Sequence, residues 1–147
     1  MAIAATDAND RVEQLSLLTE RLTELVALSA QAFEDGRPQQ AADQLEETTR
    51  LANVYRHESA RIRANPELVA AAPVVLRARL VRATEAFDAV LARQGRAIAA
   101  ARTVTEGLVR AIADEVAAQR GEAAGYGPRS DQAVNKAASA ITLNKRA

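Results

Sequence analysis

The sequence predicts an all-α protein: an antiparallel helical hairpin packed on one long third helix, a coiled-coil-like bundle, with a flexible C-terminal tail. Strong helix formers dominate the composition, and 35 of the 147 residues are alanine. Apolar residues recur at intervals of three and four, which is the spacing of an amphipathic helix. Glycine and proline cluster at a few positions, and these predict the helix ends.

The first helix is predicted over about residues 8–33. Asp10 and Glu13 have the spacing of a capping box at its start. The heptad seam that follows consists of Leu15, Leu18, Leu22, Leu25, Ser29 and Ala32. The helix should end before Gly36 and Pro38, because glycine commonly follows a helix end and proline begins the next helix. Since the loop is short, the second helix should run antiparallel to the first.

The second helix is predicted over about residues 38–63. It should end at Asn65-Pro66, because a residue that precedes proline avoids the helical conformation. A short turn over residues 66–72 then leads to Pro73 and to a third helix over about residues 74–120, roughly 70 Å long at the α-helical rise. Gly95 and Gly107 interrupt this helix and are expected to mark bends or close helix contacts. Tyr55 and Phe87 are expected to fill the core.

The third helix is about twice as long as each of the first two, so these can cover only about half of it. The uncovered half still carries Leu108, Val109, Ile112 and Val116. Apolar stripes of this size are not normally left exposed to water. We therefore expect another copy of this chain, as in a homodimer, or a helical partner to cover them.

The segment Gly121–Ser130, GEAAGYGPRS, should not be helical, because it has closely spaced glycines and a proline. It places Tyr126 between Gly125 and Gly127, outside the part of the chain that could bury an aromatic ring. We therefore predict a single bundle domain over residues 1–120 and a flexible tail over residues 121–147 that becomes ordered on a partner.

The composition excludes several classes of function as first interpretations. Acidic and basic residues balance at 19 each, whereas a nucleic-acid-binding protein needs a basic excess or stripe. No cysteine is present, and no apolar run approaches the roughly 18 residues of a membrane span. The N-terminus, MAIAATDANDR, has no secretory signal, so a cytoplasmic protein is expected.

The sequence also lacks the usual patterns of catalytic and cofactor sites. His57 is the single histidine, and its neighbour Glu58 should point in a different direction on a helix, so no metal site is predicted. Phosphate-binding glycine loops and a strand–turn–helix nucleophile elbow are absent, so we expect no cofactor and no enzymatic activity. One alternative is histidine phosphotransfer at His57, although the surrounding RHESARIR lacks the lysine and glycine typical of such domains.

Three segments carry a resemblance to a known family. These are RTVTEGLVRAIADEV (residues 102–116), GYGPRSDQ with its Tyr-Gly pair, and the aliphatic, basic terminus ITLNKRA. Together with a helical hairpin, a long helix and a tail, they resemble the flagellar type III export chaperones of FlgN type, and most of all the alphaproteobacterial branch sometimes called FlbY.

The resemblance implies a cytoplasmic chaperone that binds the amphipathic terminal segment of hook-associated (hook–filament junction) proteins and delivers it to the flagellar type III export gate. By the same resemblance, Leu108, Val109, Ile112 and Val116 would bind the client, and Gly125, Tyr126 and Gly127 would dock on the gate. The alternative is a homo-oligomeric structural coiled coil or a phasin-like protein, in which a second copy of the chain would cover the same stripe.

Overall fold

The computed structural model describes residues 3–124, and this part of the chain is helical without a β-strand. In chain order the elements are α1 (Ala8–Glu34), a 3₁₀ helix (Pro38–Gln44), α2 (Leu45–Ala64), α3 (Glu67–Ala70) and α4 (Val74–Ala124). The predicted all-α class is confirmed. Contacts divide the chain into two units, Met1–Ala101 and Arg102–Ala147, and the boundary falls within α4.

The start of α1 differs from the prediction. Its N-cap is Asp7, which has an extended backbone and whose Oδ1 accepts a hydrogen bond of 2.8 Å from the N–H of Asp10. Asp10 therefore lies in the first turn, where its Oδ2 accepts a hydrogen bond of 2.9 Å from the N–H of Thr6. The capping box predicted at Asp10 and Glu13 is wrong by three residues, because an N-cap residue must have a non-helical backbone.

The loop after α1 has the predicted glycine, which adopts the left-handed conformation. Gly36 has a φ of 69°, and the N–H of Arg37 donates a hydrogen bond of 2.8 Å to the carbonyl of Ala32. The sequence predicts the first two turns of an α-helix over Pro38–Gln44, but this segment forms a 3₁₀ helix. This segment contacts α1, but none of its residues is fully buried.

Ion pairs between helices establish the directions of the first unit. Arg11 and Arg21 of α1 pair with Glu58 and Glu47 of α2, respectively, so the two helices are antiparallel. Glu20 and Glu34 of α1 pair with Arg79 and Arg93 of α4, also in that order, so α4 runs parallel to α1 here. The short α3 occupies the turn predicted between the second and third helices.

The core of the first unit lies where α1, α2 and α4 meet. Leu22 and Val26 of α1 pack with Phe87 and Val90 of α4. The half-buried residues around this cluster are Leu18, Ala27, Leu51, Ala52 and Tyr55. The rings of Tyr55 and Phe87 meet edge to face, with centroids 5.1 Å apart, as is favourable for an aromatic pair. Both residues are therefore core residues, as predicted.

The long helix departs from the prediction at its glycines. α4 continues through Gly121 to Ala124, so the first four residues of GEAAGYGPRS are helical, because a single glycine costs a helix only about 1 kcal/mol. A Cβ atom built at Gly95 or Gly107 would meet nothing within 4 Å. Neither glycine therefore makes room for a close contact within the part of the chain that the structure describes.

Candidate functional site

The second unit presents an unpaired apolar surface on the last part of α4. Leu108, Ile112 and Val116 are spaced by four residues, and Val109 lies between them, so all four share one helix face. We call these four residues the apolar stripe. Their exposed fractions range from 40% at Val116 to 61% at Val109. Aliphatic side chains this exposed, and contiguous along one face, are typical of a protein contact surface.

Charged side chains lie on the opposite face of the same helix. Glu106, Arg110 and Asp114 are also spaced by four residues, half a turn away from the apolar stripe, and all three are exposed. Glu106 accepts a hydrogen bond of 3.2 Å from Nε of Arg102. This part of α4 is therefore amphipathic although no other described helix covers its apolar face, which is the arrangement expected of a helix that binds a partner.

The first unit contrasts with this arrangement, since there α4 does bury its apolar face. Ala83, Phe87, Val90 and Ala97 have exposed fractions of 6–8%. From Arg102 to Ala123 every side chain is exposed except Ala113, which is half-buried. The last buried residue of α4 is Ala97, close to the boundary between the units, which follows Ala101.

The remaining residues considered in the sequence analysis lie outside the apolar stripe. Gly125, Tyr126 and Gly127 lie outside the described residues. His57 is exposed on α2. Between residues 3 and 124 no group of three or more His, Asp or Glu side chains could hold a metal ion. No helix in that range is long and apolar enough to cross a lipid bilayer.

The first unit contains a buried charged group that the sequence analysis missed. Glu58 of α2 is fully buried, and its Oε2 accepts a hydrogen bond of 2.8 Å from Nη1 of Arg11. Its Oε1 accepts two more, at 3.0 Å from the N–H of Ile3 and at 3.1 Å from Nη1 of Arg61. We call these four residues the Glu58 cluster. It joins α1, α2 and the N-terminal segment at one point.

Opposing effects act on the pKa of the Glu58 carboxyl. Burial raises it, since a charged carboxylate is poorly solvated in the interior. The Ile3 N–H, the positive charges of Arg61 and Arg11 and the Arg11 hydrogen bond all lower it, and together they hold the pKa below its usual value. Glu58 is therefore an anion in the folded protein at neutral pH, and its partners compensate for its burial.

The sequence did contain a signal for this cluster. Leu51, Tyr55, Glu58 and Ile62 are spaced by four, three and four residues, so Glu58 occupies a core position of the α2 stripe. Arg11 precedes Leu15 and Leu18 at the same spacing, so it occupies a core position of α1. Opposite charges at core positions of two antiparallel helices indicate a buried ion pair.

These observations define a class of protein: a helical bundle whose candidate site is an exposed apolar helix surface rather than a pocket of titratable groups. Over its full length the chain is 63% identical to the flagellar basal-body protein FlbY of Caulobacter vibrioides, and the 150-residue alignment covers 100% of both chains. The chain belongs to the FlbY family, and its role is flagellar.

The resemblance to the FlbY branch is thereby confirmed. The wider FlgN-type assignment is consistent with the name of the relative, which does not state it. No family model matches the chain. No solved structure matches it significantly.

Proposed function

We propose that the protein is a non-enzymatic, cytoplasmic export chaperone of flagellar assembly. It binds the amphipathic terminal segment of hook-associated proteins on the apolar stripe and delivers them to the flagellar type III export gate. In the delivery step, Gly125, Tyr126 and Gly127 dock on the gate. The observation that carries this proposal is the exposure of Leu108, Val109, Ile112 and Val116 in a chain whose family is flagellar.

The chemistry of the stripe favours a helical client. An amphipathic helix buries its apolar side chains against aliphatic anchors at positions i, i+4 and i+8, which Leu108, Ile112 and Val116 provide. The charged residues Glu106, Arg110 and Asp114 would then stay in water on the far side. Binding would remove from water the side chains that the structure leaves exposed in the second unit.

The experiment compares two substitutions that place the same side chain on opposite faces of one helix. Ile112→Asp puts a carboxylate on the apolar stripe, and Ala117→Asp puts one on an exposed position away from it. Binding of purified hook-associated proteins is measured by isothermal titration calorimetry. We expect Ile112→Asp to raise Kd at least about thirtyfold, which corresponds to the loss of one hot-spot residue.

Ala117→Asp is expected to leave Kd within about twofold of the parent, because a surface charge outside the contact has little effect. Far-UV circular dichroism should be the same for both variants, since both positions are exposed. Full client binding by Ile112→Asp would refute the assignment of the stripe.

A second copy of the chain could also cover the stripe, as in a homo-oligomeric structural coiled coil or a phasin-like protein. Analytical ultracentrifugation separates the two functions. A monomer that binds hook-associated proteins supports the chaperone proposal. A stable oligomer that Ile112→Asp dissociates, together with no client binding, supports the structural alternative.

A further inference from the structure

The helices of the first unit contribute unequal numbers of buried residues to its core. α1 buries ten residues, including Val12, Leu15, Leu22, Leu25 and Val26. In α2, all of which the structure describes, Glu58 is the one fully buried residue, and the 3₁₀ helix before it buries none. Twenty-seven consecutive residues, 38–64, therefore contribute a single fully buried side chain, and that side chain is charged.

The apolar contacts of α2 are correspondingly shallow. Leu51, Ala52 and Tyr55 pack against the core cluster, but each is only half-buried. The cluster itself consists of Leu22, Val26, Phe87 and Val90, which come from α1 and α4. The deepest apolar packing of this unit thus joins α1 to α4, and α2 lies over the seam between them.

Polar contacts also attach α2 to the rest of the first unit. Near the N-terminus of α2, Glu47 pairs with Arg21 of α1, and both side chains are partly exposed. Near the C-terminus of α2, Glu58 accepts hydrogen bonds from Arg11 and from the backbone of Ile3. The segment that carries Ile3 is itself tied to α1, because Nε2 of Gln14 donates a hydrogen bond of 3.0 Å to the carbonyl of Ala4. The Glu58 cluster therefore connects the C-terminal part of α2 both to α1 and to the N-terminal segment.

The connections on both sides of α2 interrupt the α-helical backbone. Before it lie Gly36 and the 3₁₀ helix, which contacts α1 but has no fully buried residue. After it lie Asn65-Pro66 and the short α3, with Pro73 at the start of α4. Gly36 separates the 3₁₀ helix from α1, and Asn65-Pro66 and Pro73 separate α2 from α4, so α2 is not continuous with either neighbouring helix.

We infer that α2 is a detachable cover over the α1–α4 seam and that the Glu58 cluster is the latch that holds it closed. When α2 opens, the apolar side chains of Leu22, Val26, Phe87 and Val90 become accessible, and α1 and α4 stay packed on each other. This inference rests on the contacts of the first unit and is independent of the proposed function of the apolar stripe.

Hydrogen exchange of the full-length chain, followed by mass spectrometry at neutral pH, tests the inference. In the parent protein, amides of α2 should exchange faster than amides of α1 and of residues 80–97, since partial opening exposes α2 alone. Equal protection of all three segments would overturn the inference, because α2 would then open only with the whole bundle.

The variant Glu58→Gln tests the latch itself. It keeps the shape of the side chain but removes the charge that pairs with Arg11 and Arg61, so we expect α2 to exchange at least about tenfold faster. Exchange in α1 and in residues 80–97 should rise by no more than the same factor and should stay slower than exchange in α2, because the globally unfolded chain also lacks the Glu58 contacts. No acceleration of α2 in Glu58→Gln would refute the latch.

Glu47→Gln is the matched control, because Glu47 also lies on α2 and pairs with an α1 arginine, but at a partly exposed site. Exposed ion pairs contribute little, so its effect on α2 exchange should be less than about threefold. An effect as large as that of Glu58→Gln would assign the attachment to ion pairs in general and overturn the latch at Glu58.

Discussion

Arg11 and Glu58 lie 47 positions apart in the sequence, and a hydrogen bond of 2.8 Å joins them in the interior of the bundle. The Glu58 side chain has no exposed surface, and that of Arg11 is 11% exposed. Ile3 and Arg61 donate the other hydrogen bonds to Glu58, so the carboxylate has three donors. Removing one partner of a buried ion pair strongly destabilises the folded protein, because the other charge is left without compensation.

The first prediction concerns acid pH. The pKa of Glu58 is lowered in the folded protein, so the unfolded chain takes up the proton first as the pH falls. The stability that Glu58 contributes is present in full above its usual pKa of 4.5 and is lost as the pH falls from there through the folded pKa. Urea unfolding followed by circular dichroism should therefore give a free energy of unfolding that declines below about pH 4.5.

Glu58→Gln is the control for this prediction, since glutamine does not titrate. Below pH 4.5 its free energy of unfolding should fall less steeply than that of the parent. The carboxyls of Glu20, Glu34 and Glu47 also have lowered pKa values, because Arg79, Arg93 and Arg21 donate hydrogen bonds to them. These groups are at least partly exposed to solvent and should account for the slope that remains. Identical slopes in the two proteins would show that Glu58 does not titrate as inferred.

The second prediction separates the core from the apolar stripe. Phe87 is 6% exposed and packs on Leu22, Val26 and the ring of Tyr55. Phe87→Ala should lower the free energy of unfolding by about 3 kcal/mol, because it removes buried apolar surface and leaves a cavity. Leu108→Ala, at a side chain 60% exposed, should change it by less than about 0.5 kcal/mol. Urea titrations of both variants provide the measurement, and a large loss for Leu108→Ala would mean that the stripe is covered within the chain.

The sequence predicted most of the hairpin because its signals there are local. Leu15, Leu22 and Leu25 repeat at heptad spacing and are buried, and Gly36 ends α1 with the conformation that favours glycine. The cap at Asp7 was missed because Asp10 is an equally good cap residue, and only the backbone conformation distinguishes the two. The 3₁₀ helix was missed because a proline at the first helical position is compatible with an α-helix and with a 3₁₀ helix, so the sequence of residues 38–44 does not distinguish the two.

The sequence likewise predicts one part of the candidate site and not the other. The apolar stripe follows from the mismatch in helix length, which the sequence alone predicts. In the Glu58 cluster, Ile3 and Arg11 lie 55 and 47 positions from Glu58, whereas Arg61 lies 3 positions away, and Ile3 donates through its backbone N–H. A backbone donor carries no side-chain signal. Spacing alone could therefore identify the Arg11–Glu58 pair but not the hydrogen bond from the backbone of Ile3.

The third prediction uses two glycines in opposite environments. Gly95 lies in α4, and a Cβ there would meet nothing within 4 Å, so Gly95→Ala should raise the free energy of unfolding by about 0.5–1 kcal/mol. Gly36 has a φ of 69°, where an L-residue with a Cβ is strained, so Gly36→Ala should lower it by about 1 kcal/mol. Thermal or urea unfolding of the two variants gives the sign of each change in the free energy of unfolding. A loss of stability in Gly95→Ala would indicate that the glycine is needed for a bend in α4.

The last prediction concerns Tyr126, which lies beyond the described residues and which the proposed function assigns to the export gate. Tyr126→Ala should leave the Kd for the client within about twofold of the parent, because the proposed client site lies on α4. Export should nevertheless fall, since the variant loses the ring that would contact the gate. The measurement is the amount of hook-associated protein secreted by cells whose only copy of the chain carries the substitution.

Tyr126→Phe separates the ring from the hydroxyl group, because it keeps most of the contact area of the side chain. Export by Tyr126→Phe at the parent level, with a loss in Tyr126→Ala, would assign the contact to the aromatic face. If Tyr126→Ala both binds the client and exports it normally, Tyr126 has no part in delivery, and the gate contact must lie elsewhere in the chain. Loss of client binding in Tyr126→Ala would instead extend the client site beyond the apolar stripe.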